Sequence, residues 1–294
     1  MTMQKTDEIL IAKARDAAEA SEYAPSTTDF LTPRERILVN DAMVRAGYGN
    51  ALFWYGGGIG AERAVAVFLP DWYLADPNTG SDAVPAARSG FSGAFDVVRE
   101  AFFAALLADT DNGLAESVPV CAVEITGSGY AKLSHRDFMG ALLSLGIERE
   151  VMGDIVLPEP DADVPRAIVF FQKKIVPYVT ESLQKIGRDS VRIAELPLDP
   201  CREIVRRYVP VPVVVTSPRI DAIVRTLAGT SREDAVERLR TGMVERNYQP
   251  VTEPDVQLTP GDILSVRGCG KFRLKSDTAE TRRGRIRLIF DKYE

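Results

Sequence analysis

Apolar and polar positions along the 294-residue chain repeat with two different periods, and the changes of period mark its elements. Thr6 to Ala20 is rich in Ala, Lys and Glu, good helix formers, and predicts a first helix. Thr32-Pro33-Arg34-Glu35 places an N-cap, a proline at the first helical position and a glutamate at the third. A second helix therefore starts there, runs to about Ala46 and stops at Gly47. Leu52 to Tyr55 and Ala64 to Leu69 are short apolar runs on either side of Gly56-Gly57-Gly58-Ile59-Gly60, the pattern of a β-hairpin. That glycine run fits neither a dinucleotide fingerprint nor a P-loop, and it lies between strands, so it reads as a turn.

From Leu74 to Ser117 the pattern weakens. Pro77, Asn78 and Gly80 mark turns, and one helix over about Ala94 to Ala108 shows an apolar face of Phe95, Val98, Phe102 and Leu106. Seven acids against two bases make this stretch an acidic insertion or lid, poorly suited to phosphate. The order then becomes regular: a strand at Val118 to Thr126, a helix at Ser134 to Leu145, strands at Asp154 to Leu157 and Arg166 to Phe171, a helix at Lys173 to Ile186, and a strand at Ser190 to Leu196. This β-α-β-β-α-β series predicts a ferredoxin-like domain. Pro197 to Pro212 reads as a linker.

Beyond it, Ile220, Ile223, Val224 and Leu227 share one helical face closed by Gly229. Ser231 and Asp234 form a capping box for a second helix, whose inner face is Ala235, Val236 and Leu239. Short β-like runs follow at Val244, Ile263 to Val266, Lys271 to Lys275 and Arg285 to Phe290. The fold class is thus α+β in three parts. Residues 1–73 form a helical and hairpin region. Residues 74–206 form the ferredoxin-like domain with its acidic insertion (74–117), and 213–294 form a C-terminal module.

Composition changes this picture in few places. With 45% apolar and 27% charged residues the chain is an ordinary globular one. No apolar run approaches the roughly 20 residues that span a bilayer, and Met1 to Glu22 lacks a signal peptide's apolar centre, so the expected location is cytoplasmic. Cys121, Cys201 and Cys269 are widely spaced, which argues against disulfides and zinc, and no metal or cofactor is expected. The net charge of −6 conceals a split. From Arg207 onward sixteen Lys and Arg face twelve Asp and Glu, whereas residues 1–206 carry twenty against thirty. Phosphate binding follows local potential, so the C-terminal end is where a nucleic-acid site belongs.

His135 is the one histidine in the chain. Ser134, His135 and Asp137 open one helix and cannot converge as a nucleophilic relay; Ser134 and Asp137 are a capping box instead. His135 and Arg136 stay exposed as secondary RNA contacts. Phe170 and Phe171 occupy a strand on which an RNA-recognition motif would stack bases. The basic-Gly-aromatic signature is missing, and core packing is the expectation.

The segments SPRIDAIVRTL (217–227), SRED (231–234), GMVERN (242–247) and GDILSVRG (261–268) resemble the αL fold of a small-subunit ribosomal protein, here called the S-four domain. Arg219, Asp221, Ser231, Arg232, Gly242, Val244, Asn247, Gly261, Asp262 and Leu264 carry the match. Asp234, Met243, Arg238 and Arg246 depart from it. Upstream, FLTPRER (30–36), GGGIGAER (56–63) and LSHRDFMGALLSLGIEREVMGDI (133–155) resemble the YlmH family of bacterial RNA-binding proteins, as does SVRGCGKFRL…RRGRIRLIFDKY (265–293). That resemblance implies a middle RNA-binding-like domain and a C-terminal S-four domain. It also implies association with the large ribosomal subunit and tRNA, a role in stalled translation (ribosome-associated quality control), and a looser link to cell division.

The expected partners are therefore structured RNA, ribosomal or transfer, with no membrane and no catalysis. The expected contacts are Arg219, Ser231, Arg232, Arg240, Asn247, Arg267, Lys271 and Arg273. The start of the second C-terminal helix would be a phosphate nest, with the arginines around it and the strand residues closing the patch. This requires the guanidinium groups to gather there without being locked onto neighbouring carboxylates. Two alternatives stand beside it: an RNA-modifying enzyme with an accessory S-four domain, and a division scaffold using the acidic N-terminal two-thirds.

Overall fold

The computed structural model describes residues 5–74, 84–275, 279–280 and 285–293. The turn residues Pro77, Asn78 and Gly80, and the Arg282-Arg283-Gly284 part of the C-terminal motif, lie outside these. The chain divides into two compact units, Met1–Val205 and Arg206–Glu294. Both mix helices with antiparallel sheets, and among the described residues no helix is long and apolar enough to cross a membrane.

The first unit opens with α1 (Lys5–Ala20), β1 (Ser26–Leu31), α2 (Pro33–Arg45), β2 (Leu52–Tyr55) and β3 (Ala64–Phe68). Thr32 and Glu35 form the expected capping box at α2, with Glu35 Oε2 accepting from the Thr32 N–H at 2.7 Å. The β2–β3 hairpin forms as read, with Tyr55 opposite Val65. The strand β1 joins it on β3 to complete an antiparallel sheet, order β1-β3-β2. Its polar sequence, STTDFL, hid it from pattern reading.

Alternation along β2 and β3 splits their side chains between two cores. Leu52, Trp54, Ala64, Ala66 and Phe68 pack with Ala14, Val39 and Met43 of α1 and α2. Phe53, Tyr55, Val65 and Val67 face the other way, toward Phe103, Leu107 and the middle sheet.

Four helices follow: α3 (Asp71–Leu74), α4 (Gly90–Ala94), α5 (Val97–Ala108) and α6 (Leu114–Ser117). The stretch read as a lid is here part of the core. Phe103 of α5 stacks on Phe53 with ring centroids 5.2 Å apart, and Leu107 and Leu114 are buried in the same cluster. The inward face of α5 also differs from the expectation. Phe103, Leu106 and Leu107 are buried with Arg99 and Glu100, whereas Val98 is 65% exposed. Two charges turn inward because each meets a full set of partners, which hydrophobic periodicity cannot foresee. Arg99 Nη2 donates to Leu52 O at 2.7 Å. Glu100 pairs with Arg36 at 2.8 Å and accepts from Gly60 N–H at 2.9 Å.

Arg36 is fully buried between the rings of Trp54 and Phe95. Its guanidinium donates to the carbonyls of Ala61, Glu62 and Ala94 as well as to Glu100. One side chain thus ties α2, the glycine-rich turn and α5 together. That turn needs glycine for close approach: a Cβ at Gly57, whose φ is +102°, would run into the Phe170 ring.

The second half of the unit holds β4 (Val120–Gly127), α7 (His135–Ser144), β5 (Met152–Val156), β6 (Arg166–Gln172), α8 (Val176–Ser182), β7 (Lys185–Ile186) and β8 (Asp189–Leu196). The strands form one antiparallel sheet, order β5-β6-β4-β8-β7. The helix expected from Lys173 to Ile186 is shorter, because residues 173–175 form a 3-10 turn and Lys185–Ile186 pairs as a strand. One face of the sheet (Val123, Ile125, Val169, Phe171) packs under α7 and α8. The other (Val120, Ala122, Ile168, Phe170) packs against the N-terminal core.

The C-terminal unit comprises β9 (Tyr208–Val215), α9 (Ile220–Ala228), α10 (Arg232–Arg240), β10 (Val244–Arg246), β11 (Gln249–Pro250), β12 (Ile263–Val266), β13 (Gly270–Leu274), β14 (Ala279–Glu280) and β15 (Ile286–Tyr293). Most of the proline-studded linker's end is in fact β9, paired along its whole length with β15. Pro210 and Pro212 are tolerated because β9 is an edge strand, where an alternate residue's N–H has no ladder partner to lose. The module therefore starts at Arg206, not at residue 213. Ile220, Ile223, Val224, Ala235 and Leu239 of the two helices pack onto Leu264, Phe272, Leu274, Leu288 and Phe290 of the sheet.

The Arg36→Met variant should lower the stability of the first unit by about 3–5 kcal/mol, the range for breaking a buried pair and stranding one charge. Urea unfolding followed by the fluorescence of Trp54 and Trp72, both in this unit, measures it, and adding Glu100→Gln should restore part of the loss.

Candidate nucleic-acid interface

The guanidinium groups of Arg219 and Arg232 meet on one carboxylate. Arg219 caps the start of α9, and its Nε donates to Asp221 Oδ1 at 3.1 Å and its Nη2 to Oδ2 at 3.3 Å. Arg232, the first residue of α10, reaches Oδ2 of the same residue from Nε and Nη2, each at 3.3 Å. The Asp221 side chain is only 3% exposed, while those of Arg219 and Arg232 are 35% and 70% exposed. Burial pushes the Asp221 carboxyl up, but the hydrogen bond and charge of Arg219, the Ala222 N–H and Arg232 outweigh it and hold it below the usual carboxylate range.

The expectation of unlocked arginines is therefore corrected: both are bonded to a neighbouring carboxylate. They are nonetheless brought side by side. A guanidinium has five N–H donors, so each keeps donors beyond those given to Asp221, although the charge of Asp255 also acts on Arg219.

The phosphate nest at the start of α10 is also corrected, because it is filled. Asp234 Oδ2 accepts from the hydroxyls of Ser231 and Thr230, each at 2.8 Å, and Ser231 Oγ accepts from Asp234 N–H at 3.0 Å. The hydroxyls of Ser231 and Thr230 and the Ser231 N–H hold the Asp234 carboxyl below its usual range. A capping box places a carboxylate where an anion would sit, so Ser231 serves the fold. Arg240, two turns beyond Arg232 on α10, is exposed and shares a shallow groove with Arg232, Val236 and three acids, Glu233, Asp234 and Glu237.

Asn247 is likewise occupied. It adopts φ 50°, donates from Nδ2 to Asp262 Oδ1 at 2.8 Å and accepts from Ile263 N–H at 2.8 Å. Buried Asp262 also takes Arg246 at 2.8 Å and the Thr259 N–H at 2.7 Å. The departures at Arg246, Arg238 and Asp234 thus have structural roles, Arg238 donating to the Arg267 carbonyl at 3.2 Å. Met243 is exposed. Arg267 is exposed at the turn between β12 and β13. Lys271 and Arg273 are not part of the patch. They alternate with Phe272 and Leu274, which lie under the helices, so they emerge on the opposite side of the sheet.

The comparisons with known proteins agree with the motifs. Residues 119–200 match the family described as "Putative RNA-binding domain in YlmH". Over 277 residues the chain is 24% identical to the ribosome-associated protein quality control protein P2 of Bacillus subtilis (strain 168), covering 93% of this chain and 89% of that protein. The chain is YlmH-like. A solved structure, the cell division protein ylmH from Streptococcus pneumoniae, aligns loosely at a TM-score of 0.42 and 19% identity, over 67% of this chain and 94% of that one.

Within the matched domain of this YlmH-like chain, Ser134 Oγ and N–H both bond Asp137, at 2.6 and 2.8 Å, which fixes the start of α7. His135 and Arg136 stand exposed beside them. Partial desolvation lowers the His135 pKa most, Asp154 opposes this and Arg149 lowers it further, which favours the neutral imidazole. Phe170 and Phe171 are buried on opposite faces of the sheet, so neither stacks a base. Asp221 entered the sequence reading only as a position of the S-four match; the Arg-x-Asp pair at a helix start was the signal for its part in holding the arginines.

Three carboxyls of the C-terminal unit, Asp221, Asp234 and Asp262, are held below their usual value. For such groups the stability gained is complete above the unfolded value near pH ~4 and is lost as pH falls through each lower native value. Protection against amide hydrogen exchange in residues 206–294, taken relative to the intrinsic rate at each pH, should therefore fall below about pH 4. Asp262→Asn should make that fall less steep with pH while already lowering protection at neutral pH.

Proposed function

We propose that this chain is a non-enzymatic, cytoplasmic RNA-binding protein. It binds structured RNA, ribosomal or transfer, on the large ribosomal subunit and acts when translation stalls. The observation that carries the reading is the pair of outward guanidinium groups, Arg219 and Arg232, held together on buried Asp221 at the junction of two helix starts. Guanidinium forks match phosphate oxygens in number and geometry, and a pair already fixed in place loses little side-chain entropy on binding. Arg267, exposed at the sheet's end, is a further cation of this reading, whereas Arg240 stands among the acids of α10.

The family description and the name of the Bacillus subtilis relative support the RNA and ribosome parts of the reading. We read residues 118–196 as ferredoxin-like, since the strand order β5-β6-β4-β8 with both helices on one face fits that arrangement. We read the C-terminal unit as the S-four fold, two capped helices on an antiparallel sheet. Specificity comes from RNA shape and phosphate spacing, because arginines of this kind position rather than read bases.

The test uses purified ribosomal subunits and tRNA at several salt concentrations. Arg219→Ala/Arg232→Ala should weaken binding at least tenfold and reduce the slope of log affinity against log salt by about two, one for each lost phosphate contact. Unchanged binding at low salt sinks the site. Mass spectrometry of RNA nucleosides from cells with and without the protein should show no change in any modified nucleoside; a lost modification would make the chain an enzyme.

A further inference from the structure

The face of the C-terminal sheet turned away from its helices is an aromatic and basic plate. Phe272, Leu274, Leu288 and Phe290 point under the helices, so Lys271, Arg273, Arg287, Asp291 and Tyr293 project from the other side. Register places Tyr208 of β9 directly opposite Tyr293 of β15, and the two rings meet edge to face with centroids 5.0 Å apart. Lys271 Nζ lies 4.3 Å from the centre of the Tyr293 ring and 5.2 Å from that of Tyr248. The Arg273 guanidinium lies 4.6 Å over Tyr208.

Asp291, 4% exposed, holds two of these cations. It takes Arg273 Nη2 at 3.3 Å and Lys275 Nζ at 3.4 Å. Ion pairs on an open surface are loosely ordered, but a buried carboxylate fixes its partners. Arg273 is thereby held over the Tyr208 ring with 41% of its side chain exposed. Among the described residues the charge on this face is unbalanced, with Lys271, Arg273, Lys275 and Arg287 against Asp291 and Glu245.

Flat rings and a guanidinium plane suit nucleobases, and surplus cations suit phosphates. Only an unpaired strand offers both at once, since a duplex hides its base faces. We propose that this sheet face binds single-stranded RNA, with bases stacked on the Arg273–Tyr208 and Tyr293 surfaces and the backbone along Lys271, Lys275 and Arg287. The inference goes beyond the function proposed above. It rests on the chain meeting RNA, but not on Arg219 and Arg232, which lie on the helix side.

Fluorescence anisotropy of the full chain against two labelled probes tests it: a short uridine-rich oligonucleotide and a fully paired RNA hairpin closed by a tight loop. Lys271→Gln/Arg273→Gln should weaken the oligonucleotide by about tenfold or more, the scale of one to two lost stacking contacts. The hairpin should change by less than about threefold, the scale of a lost peripheral charge. Arg219→Ala/Arg232→Ala should show the reverse pattern. Tyr208→Leu, which keeps an apolar side chain on the edge strand, should weaken the oligonucleotide alone, and unchanged circular dichroism and melting temperature confirm folding in each variant. Equal losses on both probes, or no loss on the oligonucleotide, overturn the proposal. Binding of the hairpin but not the oligonucleotide by the parent chain overturns it while leaving the helix-side site standing. Binding of neither probe overturns both.

Discussion

Asp221 sits almost wholly out of water and touches two arginines, and the candidate interface exists only because it does. A carboxylate moved into a protein interior loses several kcal/mol of hydration unless cations and N–H groups replace the water. Here the Ala222 N–H and two guanidinium groups supply that replacement. The arginines have no comparable freedom to leave, since departure would strand the charge. Two long side chains that would otherwise sample many rotamers are thus confined to one corner of the surface, and confinement is what turns surface charge into a site.

The same device recurs in both units. Glu100 confines Arg36 in the first, and there the cation is as buried as the anion, so the result is packing, with no site. Asp291 confines Arg273 and Lys275, whose side chains stay 41% and 46% exposed, so those cations still face solvent. Asp262 confines Arg246 and Asn247 around a turn, and Asp189 gathers the Ser128 and Ala131 N–H groups to shape the loop after β4. What separates scaffolding from interface is the exposure of the partner, which ranges from 0% for Arg36 to 70% for Arg232.

Much of the scaffold was legible because it is written locally. The capping boxes at Thr32, Ser134 and Ser231, the glycine stop at Gly229 and the apolar stripe of α9 depend on residues a few positions apart, and each was found where it was read. Three features escaped for physical reasons. The polar strand β1 and the proline-bearing strand β9 earn their places by pairing with distant strands, β3 and β15. The face of α5 is set by what Arg99 and Glu100 can bond across the core. At the site, the arginines were legible but their environment was only half so. A Ser231–Asp234 capping box and an open phosphate nest cannot coexist at one helix start, since the box consumes the donors that the nest would need.

The β period has the last word on how the basic residues divide. Lys271 and Arg273 are close in sequence to Arg267 and belong to the same charge-rich end of the chain, so counting charge merges them with Arg219 and Arg232. One residue of offset in β13 would have put them under the helices, where Phe272 and Leu274 now complete the core. The core fixes that offset, because burying two cations in place of two apolar side chains is prohibitive. Packing on one side of a thin sheet therefore dictates the chemistry on the other. A module of under ninety residues ends with arginines gathered at its helix starts and, on the opposite side of its sheet, cations set among tyrosine rings.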